Sequence, residues 1–355
     1  MPGIRNIAVV LPNWIGDVVM ATPTLRAIRE GLTRGDRLVG IMRPYVAKVL
    51  EGTDFLDDTI LWAKKTDDPK QRFWNVVKQF RQQRFDQAIL LPNSLSSAGL
   101  AWLGGAKERV GYRRYGRGPL LTHNLLPPAV DGKRVPVSAV DYYVALAELA
   151  GYEVRSRNCE LGTTPQDDST ARKIWRDFHF FERRVIVFNT GGAYGGAKHW
   201  PVEYYQQLAK RLVADKRNAV LMICGPSERE AVAAIEREVN HPAVRSLAEH
   251  TPTIGLSKAV IRHASLMITT DSGPRHFAAA FNVPSVAIFG PTDPRWAENY
   301  NPNELILSAG AECSPCAKRE CPLKHHRCMR DLAVDHVLSA ATRQLDWQTD
   351  RSQAA

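Results

Sequence analysis

Short apolar runs alternate with stretches of helical spacing along almost the whole chain, and that alternation leaves few folds open to it. Ile7-Ala-Val-Val-Leu11, Arg37–Met42, Asp57–Trp62, Phe85–Leu91 and Arg109–Tyr112 read as buried strands. Such near-continuous apolar strands belong to parallel sheets covered on both faces. Helices are expected between them, over Val18–Glu30, Tyr45–Leu50, Arg72–Arg84, Ser97–Leu103 and Val140–Ala150, with Pro23 disturbing the first. Residues 151–168 have no periodicity and are rich in polar and turn residues, which marks a domain boundary. The pattern then restarts. Strands are expected at Arg184–Phe188, Ala219–Cys224, Val244–Leu247, Leu266–Thr270 and Ser285–Phe289, with helices at Ser169–Asp177, Glu203–Ala214, Glu228–Val239, Ile254–His263 and His276–Phe281.

The expected architecture is α/β, with two Rossmann-like doubly wound domains facing each other across a cleft. Residues 1–160 form the first and 161–330 the second. A last helix covers 331–347, and 348–355 form a flexible tail. Parallel sheets present their ligands at the carboxyl ends of the strands. The loops 12–17, 92–94, 189–198, 225–228 and 271–276 all fall at such ends.

Residues 265–294 read as strand, loop, helix, strand and loop. Asp271-Ser272-Gly273-Pro274 has the chemistry of a helix start. A helix beginning there points free N–H groups and its positive dipole end toward the loop, a site for a phosphate. Ser272 offers a hydroxyl, Gly273 lets the backbone come close, and His276 lies about one turn on. The same residues also suit an ordinary capped helix. Lys198 closes a loop with four glycines, Asn189 to Lys198, where a diphosphate can approach the backbone, or where a lysine is simply solvated. Asp17 ends the first strand's loop and is either a general base or a helix cap. No Asp-x-Asp pair stands at a strand end to hold Mg²⁺, so chemistry without a metal or other cofactor is expected.

The formal net charge of +10 over 355 residues suits an anionic partner. There is no run of five basic residues and no aromatic-interleaved basic stripe, so nucleic acid is not the expected partner. No apolar run reaches the ~20 residues of a membrane span. The N-terminal stretch before Ile7 is too short for a signal peptide, and a cytoplasmic protein is expected. Four of the six cysteines, Cys313, Cys316, Cys321 and Cys328, cluster with His325 and His326. They are either a structural zinc site or reduced thiols in a folded loop. The basic loop with Arg109, Arg113, Arg114 and Arg117 suits acceptor phosphates or acidic sugars, or is solvated surface. Trp62, Phe73 and Trp74 nearby read as core rather than as a lipid-contacting patch.

The runs Pro12-Asn13-Trp14-Ile15-Gly16-Asp17, Leu91-Pro92-Asn93-Ser94, Gly192-Ala193 with Ala197-Lys198-His199-Trp200-Pro201, and Asp271-Ser272-Gly273 with His276 resemble the lipopolysaccharide heptosyltransferases of glycosyltransferase family 9. In order and spacing they are most similar to type II members, and the loop from Cys313 to Met329 is similar too. The resemblance spans about residues 5 to 345. It implies a GT-B fold with an N-terminal acceptor domain and a C-terminal domain for ADP-heptose. It implies inverting transfer of L-glycero-D-manno-heptose to a heptose- and Kdo-bearing, lipid A-linked inner core, at the inner face of the inner membrane. The family's catalytic carboxylate falls on Asp17 and its phosphate-contacting lysine on Lys198. Donor binding falls on Thr190, Gly191, Lys198, Glu228, Asp271, Ser272, Gly273 and His276. Asn13, Asn93, Ser94, Arg113 and Arg114 are the acceptor-binding candidates. Pro274 and Arg275 depart from the family pattern and bear on how the sugar is held. A type I heptosyltransferase, a GT-B transferase with another donor, and a non-catalytic nucleotide- or phosphate-binding protein are the alternatives.

Overall fold

The structure is a computed structural model; it describes residues 4–191 and 195–354, with side chains up to Trp347. Gly192, Ala193 and Tyr194 of the glycine-rich loop lie outside the described residues. The chain forms two compact units, one ending at Gly162 and the other beginning at Thr163.

In the first unit six strands run parallel: β1 (Asn6–Val10), β2 (Arg37–Met42), β3 (Asp58–Leu61), β4 (Gln87–Leu90), β5 (Glu108–Tyr112) and β6 (His123–Leu125), in the order β3-β2-β1-β4-β5-β6. A two-stranded antiparallel ribbon, β7 (Ala129–Val130) and β8 (Lys133–Arg134), follows. The helices are α1 (Ile15–Met20), α2 (Thr22–Glu30), α3 (Pro44–Leu50), α4 (Phe73–Gln83), α5 (Leu95–Leu103) and α6 (Ala139–Leu149). Alternate residues of the central strands, Ala8, Val10, Ala88 and Leu90, pack against Val76, Phe80 and Leu100 of α4 and α5. The intervening Ile7, Val9 and Ile89, which point to the opposite face, are equally buried, so both faces of the strands are used, as their unbroken apolar sequences require.

The second unit opens with α7 (Pro165–Asp177) and repeats the scheme with β9 (Arg184–Asn189), α8 (Val202–Leu212), β10 (Asn218–Ile223), α9 (Arg229–Val239), β11 (Val244–Ser246), α10 (Ile254–Arg262), β12 (Leu266–Thr270), α11 (Gly273–Ala280), β13 (Ser285–Phe289) and β14 (Glu304–Ser308). The sheet order is β11-β10-β9-β12-β13-β14, all parallel. α12 (Arg327–Arg330) and α13 (Val334–Ala354) close the chain.

The strand orders matter for function. Each sheet grows outward in both directions from a central pair, β1 and β4 in the first unit, β9 and β12 in the second. At that pair the connections diverge and leave a crevice beyond the strand ends, where doubly wound sheets bind ligands.

Some elements differ from the sequence reading. The helix expected over Val18–Glu30 is two helices that meet at Ala21. Pro23 has no N–H for the carbonyl of Val19, and the Thr22 hydroxyl donates to that carbonyl at 2.7 Å instead. α7 begins four residues early, at Pro165, because Thr164 and Asp167 form a reciprocal capping box. β6 and β14 are edge strands that the reading omits. α13 begins at Val334 and continues to Ala354, through most of the stretch 348–355 expected as a flexible tail, since no Gly or Pro interrupts the sequence there. No helix among the described residues is long and apolar enough to cross a membrane.

Candidate active site

At the first crevice, α1 starts directly after the β1 loop and carries Asp17 in its first turn. Trp14, not Asp17, is the N-cap residue, so the capping role is not the one Asp17 fills. The carboxylate is half-buried and has no hydrogen-bond or ion-pair partner among the described residues. Burial without compensation pushes it from the ordinary 3.8 up to about 6. The Tyr143 phenol of α6 is held protonated far above its usual range, first by its own burial and then by the Asp17 charge. A lone carboxyl raised toward neutrality is the form a general base takes.

The β4 loop lies beside it. Ser94 caps α5 by accepting from the Ser97 N–H at 3.1 Å. Asn93 donates to the Tyr142 hydroxyl at 3.0 Å and accepts from Arg117 at 3.2 Å. Arg117 itself is fully buried. It donates to the carbonyls of Tyr112, at 2.8 Å, and Pro92, and to the Ser97 hydroxyl at 3.2 Å. Desolvation lowers it to about 10. Arg117 is thus the strut of the 92–97 loop and not an acceptor contact. Arg109 is similarly spent on the carbonyls of Leu120 and Ala106, at 2.7 and 2.6 Å. Of the four arginines in this basic stretch, Arg113 is exposed and Arg114 lies over the Tyr115 ring at 4.3 Å. Asn13 is exposed, and its carbonyl accepts from the Tyr45 hydroxyl. A pocket at these strand ends is lined by Asn13, Arg43, Trp62, Lys64, Ser94 and Ser96.

At the second crevice, Asn189 at the end of β9 spans the gap to β12. Its amide donates to Ser272 Oγ at 2.7 Å, Thr269 Oγ1 at 3.0 Å and the Gly191 carbonyl at 3.2 Å. Ser272 is the N-cap position of α11, and its hydroxyl is held by Asn189 without capping the helix. Lys198 reaches Asp271, at 2.5 Å to the carboxylate and 2.9 Å to the carbonyl. Thr292 adds a hydrogen bond to the same carboxylate at 2.8 Å. Burial raises Asp271, but Lys198 first, then Arg275 and Thr292, outweigh it and hold the carboxyl below its ordinary range. His276 is buried; desolvation and the neighbouring Arg275 depress it to about 3, so it is a neutral imidazole. Thr190 and Gly191 are buried at the β9 end. Glu228 lies against Gly191, where a side chain would come within 2.6 Å of its carboxylate, and accepts from the Gly225 N–H at 2.6 Å. Thr190, Gly191, Lys198, Asp271, Ser272, Gly273 and Glu228 are therefore gathered around the β9 and β12 ends.

Residues 73–327 match the profile of glycosyltransferase family 9 (heptosyltransferase). The chain belongs to this family. It is 27% identical to lipopolysaccharide heptosyltransferase 2 of Escherichia coli (strain K12) over 349 residues, which is 94% of this chain and 96% of the relative. It is 25% identical to lipooligosaccharide heptosyltransferase 2 of Campylobacter jejuni subsp. jejuni serotype O:6 over 342 residues, 94% of this chain and 97% of that one. The solved structure of the E. coli ADP-heptose LPS heptosyltransferase II matches with a TM-score of 0.77 at 24% identity, covering 97% of this chain and 100% of that chain. The likeness covers both units and gives this chain the GT-B fold.

Several side chains of this family 9 glycosyltransferase sit elsewhere than the sequence reading puts them. Arg275 does not reach into the donor loop as a free cation: one guanidinium nitrogen lies 3.9 Å from the Asp271 carboxylate, and the rest of the group turns away to β14. It is fully buried, pairs with Glu304, Nε to carboxylate 2.9 Å, and lies 4.9 Å over the Phe289 ring. Trp74 is 70% exposed, whereas Trp62 and Phe73 are packed on the core as expected. The cysteines are free thiols, and among the described residues no group of three or more His, Cys, Asp or Glu is arranged to hold a metal ion. Sequence reasoning missed Asn189, although a polar residue at the end of an otherwise apolar strand was a visible signal. It also missed Arg43, which directly follows β2, and Lys64, three residues past the end of β3.

Proposed function

We propose that this glycosyltransferase moves L-glycero-D-manno-heptose from ADP-heptose to the heptose- and Kdo-bearing inner core of a lipid A-linked acceptor, in lipopolysaccharide core assembly, with inversion at the anomeric carbon. The observation that carries the reading is Asp17: an unpaired, half-buried carboxylate at the β1 crevice, raised to about 6. In this mechanism Asp17 takes the proton of the acceptor hydroxyl as its oxygen attacks the anomeric carbon. The bond to the diphosphate oxygen breaks, and ADP leaves with the electron pair. Lys198 supplies the positive charge that balances the departing diphosphate, and it does so by shifting from Asp271, which keeps it placed beforehand. The N–H groups at the start of α11 and the closely approachable Gly191 complete the anion site. Glu228 is the candidate for the ribose hydroxyls. Arg43, Lys64, Arg113 and Arg114 are the cations available for the acidic groups of the acceptor, with Asn13 and Ser94 at the pocket wall. No divalent cation is needed, because Lys198 and the helix start carry the neutralising charge. The protein works at the cytoplasmic face of the inner membrane, where such an acceptor is anchored.

Calorimetry with a nucleotide panel tests the donor. ADP should bind more tightly than UDP or GDP. Equal affinity for all three would remove the ADP-heptose assignment, and no nucleotide binding at all would remove a nucleotide-sugar donor.

A further inference from the structure

The outward faces of α4 and α5 carry large apolar side chains that neither crevice uses. Trp74 on α4 is 70% exposed, and Leu95 and Trp102 on α5 are 57% and 53% exposed. The two helices pack side by side on one face of the first sheet, through Val76, Phe80, Ala98 and Ala101 among others. Arg81 of α4 also donates to the Leu103 carbonyl at the end of α5, at 2.7 Å. Helical spacing puts Trp74, Lys78 and Arg81 on one outward stripe and Leu95, Gly99 and Trp102 on the next. Gly99 has open space above it, so no side chain stands between Leu95 and Trp102 on that stripe.

The two helices themselves carry charge of one sign; the exposed Asp67 and Asp68 stand just ahead of the 69–71 turn that packs on α4, where Asp68 is taken up by the Lys70 N–H and the Gln71 amide. Residues 69–85 and 87–107 hold no Asp or Glu, and Lys70, Arg72, Lys78, Arg81 and Arg84 are all exposed. None of these five makes an ion pair among the described residues. Asp86, between the two stretches, is turned to the Asn6 N–H at 2.9 Å and to Lys107 at 2.8 Å. Exposed tryptophans among unpaired cations are what an anionic bilayer surface selects: indole rings settle at headgroup depth and cations meet the anionic lipids.

We propose that the α4–α5 face of the first unit docks on an anionic lipid bilayer. The placement is useful to the reaction, and this part rests on the reading that the acceptor is lipid-anchored. Trp74 stands in the first turn of α4, and Leu95 directly follows Ser94, the cap of α5. Both helices begin at the strand ends that carry Asp17 and the 92–94 loop. A bilayer held there brings headgroup-level sugars to the acceptor crevice.

The test is flotation of the full chain with vesicles of phosphatidylcholine alone, or of phosphatidylcholine and phosphatidylglycerol in equal parts. The protein should float with the anionic vesicles and not with the neutral ones, and added salt should release it. Lys78→Gln should weaken binding ~5-fold, and Trp74→Ser with Trp102→Ser by ~10-fold or more. Turnover on a soluble acceptor lacking acyl chains, and the melting temperature, should not change in either variant. Equal binding to both vesicle types, no binding to either, or unchanged binding of the variants would overturn the proposal. So would a dimer of the free protein that the tryptophan variant dissociates, since the face would then belong to a second copy. Vesicle binding is read without any transfer reaction, so its failure leaves the donor and acceptor assignments standing.

Discussion

Asp17→Asn separates catalysis from stability in a way that few substitutions can. The side chain keeps its size and polarity and loses its charge and basicity. If Asp17 is the general base, turnover should fall by roughly 10²–10⁴. The wild-type pH profile of kcat/KM should rise tenfold per unit up to a bend near the carboxyl's value of about 6, and the variant should lack that limb. The stability effect has the opposite sign. Because folding raises this carboxyl from 3.8 to about 6, the protonated form is the one the fold favours. Its contribution is fully present below pH ~4 and is lost as pH rises through ~6. At pH 8 the ionised, desolvated group costs up to about 3 kcal/mol, an upper bound because the side chain keeps some solvent contact. Asn loses only the interaction with the α1 dipole, about 0.5 kcal/mol. The variant should therefore be at least as stable as wild type at pH 8 and lose that advantage at pH 4. The assays are single-turnover rates and melting scans at both pH values. Near-full turnover in the variant, or a drop in its melting temperature at pH 8, would refute the reasoning.

Lys198→Ala should weaken ADP binding about 10- to 100-fold and lower kcat/KM at least as much, because the charge acts on the bound ground state and the transition state alike; unchanged ADP affinity by calorimetry would place the lysine's role solely in its pair with Asp271. Arg117→Ala should cost about 3–5 kcal/mol, seen as a lower melting temperature, since the buried carbonyls of Tyr112 and Pro92 lose their donor; a neutral effect would show that water replaces the guanidinium. Turnover should survive EDTA unchanged, and loss restored by Mg²⁺ would contradict the metal-free mechanism.

Much of this was legible in the sequence because apolar strands and Gly- or Pro-bearing loops are local signals. The β1, β9 and β12 runs need no partner to be read, and the loops after them follow. What a linear pattern cannot carry is where a long side chain ends. Arg117 and Arg275 look like ligand-facing cations in sequence. In the fold one threads back under the 92–97 loop and the other crosses to Glu304 on the edge strand β14. Trp74 fails in the other direction. Three aromatics so close in sequence suggest core, but the α4 helical turn sends Phe73 inward and Trp74 out. Asp17 illustrates a subtler limit. Its place at a strand end is readable, but the absence of a compensating partner, which sets its proton affinity, belongs to the packing of α1 against α6.

The most direct test of heptosyl transfer is ADP release from ADP-heptose in the presence of two core acceptors, one already carrying a heptose and one carrying Kdo alone, with the product identified by mass. Release should be fast with the heptose-primed acceptor and slow with the other, and the product should gain one heptose. No release with either acceptor, or equal release without any sugar added to the acceptor, would contradict the account.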